Sequence, residues 1–112
     1  MTDAVERALV AVRRFCEDLT PADVRDQLVV AAERRGKTIG IVERRAPWDP
    51  AYGPDWTVTP VAQLRFDAAR NAWSLHARRG DRWIRHPDTR LAADIAELLR
   101  VVDADPYGLF WG

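Results

Sequence analysis

QLVVAAERRGKTIGIVERR, residues 27–45, is the stretch whose reading decides the fold. Its two halves, QLVVAAER and KTIGIVER, are rich in Val and Ile, and Arg35-Gly36-Lys37 between them supplies a tight turn. That pattern predicts a β-hairpin. Upstream the period is different. Val5, Leu9, Val12, Cys16 and Leu19 recur at spacings of four and three, with Ala8 and Phe15 alongside, so the chain opens with an amphipathic helix. Thr20-Pro21 closes that helix and reads as the cap and first residue of a short new turn.

Downstream of the hairpin, APWDPAYGPDW at 46–56 packs three prolines and a glycine into eleven residues, so it is a loop. Three further strands follow. In VAQLRFD (61–67), Ala62, Leu64 and Phe66 share one parity; in AWSLHAR (72–78), Trp73, Leu75 and Ala77 do the same; RWIRH (82–86) comes after the turn Arg79-Gly80-Asp81. A last helix is expected to open at Asp88 and to carry Leu91, Ile95, Leu98 and Val102 on one stripe. Pro106 ends it, and Phe110 and Trp111 are expected to fold back onto the core, since a loose Phe-Trp terminus is sticky. These signals define one domain, 1–112, of the α+β class. Its sheet is a meander of about five antiparallel strands, covered on one face by an N-terminal and a C-terminal helix.

Composition narrows the class further. The 112 residues suffice for one core, and 47% hydrophobic with 30% charged residues is ordinary for a globular chain. Cys16 has no second cysteine to pair with and lies on the apolar stripe, so it reads as a small buried hydrophobe. The start MTDAVERALV has no apolar signal core, and no apolar run approaches the roughly 20 residues of a membrane span. The expected setting is the cytoplasm, without membrane association.

The net charge of zero conceals a segregation. Residues 1–33 hold four basic and seven acidic side chains, residues 34–90 twelve and six, and residues 91–112 one and four. The helices are therefore expected to be acidic and the sheet basic, which makes the uncovered sheet face electropositive.

Several strings carry a resemblance: ERRAPW (43–48), GPDWT (53–57), PVAQLRFD (60–67) and DADPYGLFWG (103–112). Together they resemble a bacterial family of small proteins catalogued only as a domain of unknown function. The chain departs from that pattern at Ala46, Asp55 and His76. The resemblance implies the domain boundaries and carries no activity, cofactor or catalytic residue.

Three functional classes compete on the residues. Arg44, Arg45, Trp48 and Trp56 interleave guanidinium groups with indoles, and Arg65, His76, Arg78, Arg82 and Arg85 extend the basic surface along the sheet. This set suits a non-catalytic binding or adaptor module that recognises an acidic partner through the sheet face and the Pro-rich loop. The same set suits nucleic acid, through phosphate contacts and base stacking. A third class, a small metal-dependent nuclease-like enzyme, would rest on Glu43. There, however, arginine stands where such sites carry lysine, and no HxxxH, CxxC, HExxH or GxSxG spacing is present. No catalytic residue, metal ligand or cofactor is assigned. His86, before Pro87, is expected to bond to loop carbonyls at a strand-to-helix corner.

Overall fold

The computed structural model describes residues 3–112. Helix α1 spans Ala4–Leu19, and the Asp3 carboxylate caps it by accepting the Glu6 amide at 2.7 Å. Its buried stripe is Val5, Ala8, Leu9, Val12 and Cys16. Burial, reinforced by the nearby Glu17 charge, pushes the Cys16 thiol up to about 12. Cys16 is a packing residue, as its place in the pattern implied.

Five strands follow: β1 (Leu28–Arg35), β2 (Thr38–Arg45), β3 (Thr57–Asp67), β4 (Ala72–Arg79) and β5 (Arg82–Arg85). They pair antiparallel in sequence order, β1-β2-β3-β4-β5, so the sheet is an open meander. Gly36 and Gly80, at φ +59° and +64°, make the tight hairpin turns that a side chain would strain. Helix α2 covers Ile95–Ala104.

Register fixes which residues share a face. Ile39, Leu64 and Leu75 form one cross-strand row, and Ile41, Ala62 and Ala77 the next; all six are fully buried. Above these rows lie both helices: α1 on β1 and β2, α2 over β4, with the two helices touching each other. The α+β fold with both covers on one side is thus as the sequence pattern required. Arg34, on the covered face of β1, pins the start of α1 through Glu6 (2.6 Å) and Asp3 (3.4 Å).

The structure corrects the sequence reading at three boundaries. Helix α2 opens at Ile95 with Asp94 as its cap, seven residues later than Asp88. The intervening chain is drawn out because β5 is too short to cover β4. Ala92 takes up both backbone groups of Trp73, at 2.7 and 2.9 Å, which would otherwise be orphaned at the sheet edge. Strand β3 starts at Thr57, before Pro60, because a register shift opposite Ile41/Val42 inserts an extra residue and spares the ladder the missing proline N–H. Thr20 does not cap a new turn. Its hydroxyl donates to the Cys16 carbonyl (3.0 Å) and accepts the outward-facing Val30 amide of edge strand β1 (3.0 Å).

The C-terminal string is a strap. Asp105, in the left-handed region at φ +43°, turns its carboxylate onto the amides of Leu109 (2.8 Å), Phe110 (3.2 Å) and Trp111 (2.9 Å). The Trp111 indole N–H donates to the Val102 carbonyl at 2.9 Å, and Phe110 is buried. Phe110 stacks on His86 at 5.7 Å, and Tyr107 flanks the same ring at 5.8 Å while its hydroxyl donates to Asp88. His86 is only 2% exposed, and among the described residues neither ring nitrogen has a hydrogen-bond partner, in place of the loop carbonyls expected.

Two outcomes follow from the strap. Asp105→Ala strips three amides of a charged acceptor and is expected to cost about 3 kcal/mol, with Asp105→Asn intermediate. Urea unfolding of the three proteins gives that order. His86→Phe keeps the stack and removes two unsatisfied nitrogens, so its thermal midpoint should rise, by about 1 kcal/mol of stability.

Candidate functional site

On the uncovered face, the alternation of each strand brings out one arginine per strand: Arg35 from β1, Arg44 from β2, Arg65 from β3, Arg78 from β4 and Arg85 from β5. Two carboxylates share the face, and each is already held. Glu33 accepts from Arg44 at 2.6 Å, and Asp67 from Arg70 at 2.7 Å. The Asp67 carboxyl consequently lies below its ordinary range, through the Arg70 side chain first and the Arg70 amide next. The remaining guanidinium charge is uncompensated on this face.

The middle of the face is hollow. Gly40, on the interior strand β2, has a cross-strand register that places Glu33 and Gln63 beside it, and a Cβ there would meet only the Glu33 carbonyl oxygen, at 3.8 Å. Its backbone does not demand glycine, since it is absent from the positive-φ positions. The missing side chain opens a depression of about 350 Å³ lined by Arg35, Thr38, Val42, Gln63, Arg78 and Trp83, among others. A glycine inside a strand commonly marks a place where something else approaches the backbone. Two arginines of this face are braced: Arg65 Nε donates to Gln63 Oε1 (2.7 Å), and Arg78 Nε donates to the Gly80 carbonyl (2.9 Å) with its guanidinium 5.4 Å over Trp83. Bracing of this kind reduces the ordering entropy that a ligand must overcome.

The residues singled out from the sequence divide in space. Arg44, Arg65, His76, Arg78 and Arg85 share the open face. Arg45 and Arg82 belong to the opposite face: Arg45 is in register with Leu28 and its Nε donates to Glu43 at 2.5 Å, while Arg82 is in register with Arg79, two residues along from the buried Ala77. Trp48 and Trp56 belong to the loop between β2 and β3. Trp48 is 84% exposed and lies 5.5 Å from Tyr52, itself 69% exposed, while Trp56 and Val58 are also open. Trp48, Pro47, Ala46 and Arg45 line a wide hollow of about 730 Å³ with Val24, Gln27, Leu28 and Thr57. Trp48 therefore stands in solvent, whereas Trp111 packs against the core.

His76 differs from the role read in the sequence. It is 9% exposed, and its Nε2 lies 2.9 Å from Ser74 Oγ. Burial foremost, then the Arg65 and Arg85 charges, lower its pKa from 6.5 to about 4. At neutral pH it adds a polar, uncharged group to the face. Parity along β1 and β5 would have found what the sequence reading left out: Arg35 shares a face with Glu33, and Trp83 shares one with Arg78 and His76. Gly40 carried no signal until its neighbours across the sheet were known.

Glu43 lies on the helix-covered side, near Leu19, Leu28, Val30, Asp103 and Trp111, with the sheet between it and His76. Among the described residues no cluster of three or more His, Cys, Asp or Glu side chains is placed to hold a metal ion, and no helix is long and apolar enough to cross a membrane.

The fold and its surfaces define a two-layer α+β domain with one sheet face free. The chain belongs to the family described as Domain of unknown function (DUF3024), whose model matches residues 1–112. No curated protein and no solved structure matches it.

The lowered His76 pKa has a definite consequence for stability. Between pH 6.5 and about 4 the unfolded chain takes up a proton that the folded His76 refuses, so stability present above this window is lost as pH falls through it. His76→Gln should show a shallower loss over the same window when melting midpoints are compared with those of the unaltered protein.

Proposed function

We propose that this domain is a non-catalytic binding module that lays an acidic segment of a partner protein across the open face of its sheet, in the cytoplasm of a bacterial cell. The observation carrying this reading is the one-arginine-per-strand face, with its two carboxylates already engaged and a hollow at Gly40. Guanidinium groups bind carboxylates with planar two-point geometry and are less strongly hydrated than ammonium, so they suit a face that must shed water on binding. The exposed Trp48 and Tyr52 supply apolar contact at one end, where Val58 on the open face leads from Arg44 towards the loop. Aromatic and arginine side chains are the residue types that dominate binding hot spots.

Single-stranded nucleic acid is the competing ligand, because Trp48 and Tyr52 would serve it as stacking platforms beside the same arginines. Calorimetry with an Asp/Glu-rich peptide and with an oligonucleotide separates the two. The peptide should bind in a salt-sensitive manner, and Arg44→Glu with Arg78→Glu should weaken it roughly tenfold or more. A peptide affinity unchanged by that double reversal, or an oligonucleotide that binds more tightly than the peptide, rejects the proposal.

A further inference from the structure

One corner of the open face is more specific than a general basic surface. Arg65 is the direct cross-strand partner of Ser74, and His76 is the direct cross-strand partner of Arg85. Ser74 and His76 stand two residues apart on β4 and are joined by their 2.9 Å contact. Directly opposed residues on one face hold their Cβ atoms about 5 Å apart, so three adjacent strands bring two guanidinium groups, a hydroxyl and an imidazole into one cluster. Arg85 forms no ion pair among the described residues, and Arg65 uses its Nε on the uncharged Gln63, leaving its terminal nitrogens outward.

Beside this cluster lies a hollow of about 360 Å³ lined by Arg65, Asp67, Arg70, Ser74 and Arg85, among others. Its one carboxylate, Asp67, is already taken by the Arg70 side chain (2.7 Å) and the Arg70 amide (3.2 Å). Three arginines against one acid leave a net positive hollow, with the Ser74 hydroxyl on its wall and His76 bonded to that hydroxyl.

Resting on the reading of this face as a binding surface for an acidic segment, we infer that Arg65, Ser74, His76 and Arg85 form a site for a phosphoryl dianion borne on that segment. A planar carboxylate satisfies one guanidinium fork. A phosphoryl group has three acceptor oxygens and up to two negative charges, enough to engage two guanidinium groups from opposite sides and the hydroxyl between them. The neutral imidazole adds a response. Its charged form is suppressed by burial and by Arg65 and Arg85, with Arg78 the next charge along β4; a dianion between the arginines offsets their repulsion and favours the imidazolium.

Calorimetry on the full chain with an acidic phosphoserine peptide, the same peptide unphosphorylated, and inorganic phosphate tests the site. The phosphorylated form should bind about tenfold more tightly. Inorganic phosphate should compete with it, and Arg65→Gln or Arg85→Gln should each remove most of that gain. In NMR titrations the His76 ring should protonate at a higher pH when the phosphopeptide is bound, an effect that a merely structural role for the arginines does not produce. Equal affinity for both peptides overturns the phosphoryl site while leaving the acidic-segment reading standing. Binding of neither peptide overturns both. A phosphate-dependent gain that survives both arginine changes places the phosphoryl group elsewhere, and an oligonucleotide that outcompetes the phosphopeptide assigns the face to nucleic acid.

Discussion

Two amphipathic helices, of 16 and 10 residues, are all that this chain has to cover five strands, and both lie on the same side. Everything else in the structure follows from that one-sided burial. The covered face is closed by the two buried rows Ile39–Leu64–Leu75 and Ile41–Ala62–Ala77, a row of large side chains beside one that holds two alanines. The other face must stay in water, and a wet sheet face of this size needs side chains that shield the backbone while remaining soluble. Arginine does both, because its stem packs along the sheet while its head remains hydrated.

The same economy explains how the edges are treated. An open meander has two free edges, each a row of unpaired backbone groups. At β1, the Thr20 hydroxyl at the end of α1 takes the Val30 amide, which has no partner strand on that side. At β4, the drawn-out segment before α2 takes both backbone groups of Trp73. The end of the core near Leu28 and Val30 is sealed by the Asp105 strap, which holds Phe110 and Trp111 down through three amides. The Thr20 hydroxyl serves two elements at once, the Cys16 carbonyl of α1 and the Val30 amide of β1, which suits a domain too small to spare a further strand or helix.

The DADPYGLFWG string is chiefly structural, whereas the ERRAPW string divides between the two faces of the sheet and the loop beyond it. Glu43 and Arg45 pair on the covered side, Arg44 belongs to the open face, and Trp48 projects into solvent. The open face holds the unspent chemistry: uncompensated guanidinium groups, a hollow where Gly40 withholds a side chain, and a histidine kept neutral by its neighbours.

Local pattern was enough to show two helices, five strands, their parity and the segregation of charge, because periodicity is written in each segment independently of the others. The placement of Phe110 and Trp111 was legible for a similar reason, as apolar bulk at a terminus has to be covered. Three matters depended on contacts between distant residues and so on the folded chain alone. The start of α2 was set by the unpaired edge at Trp73, the state of His76 by its burial and then by arginines on two neighbouring strands, and the choice of Arg44 rather than Arg45 for the open face by a register running through three strands. Sequence determines which residues alternate; only strand pairing decides which alternating residues meet, and a binding face consists of such meetings.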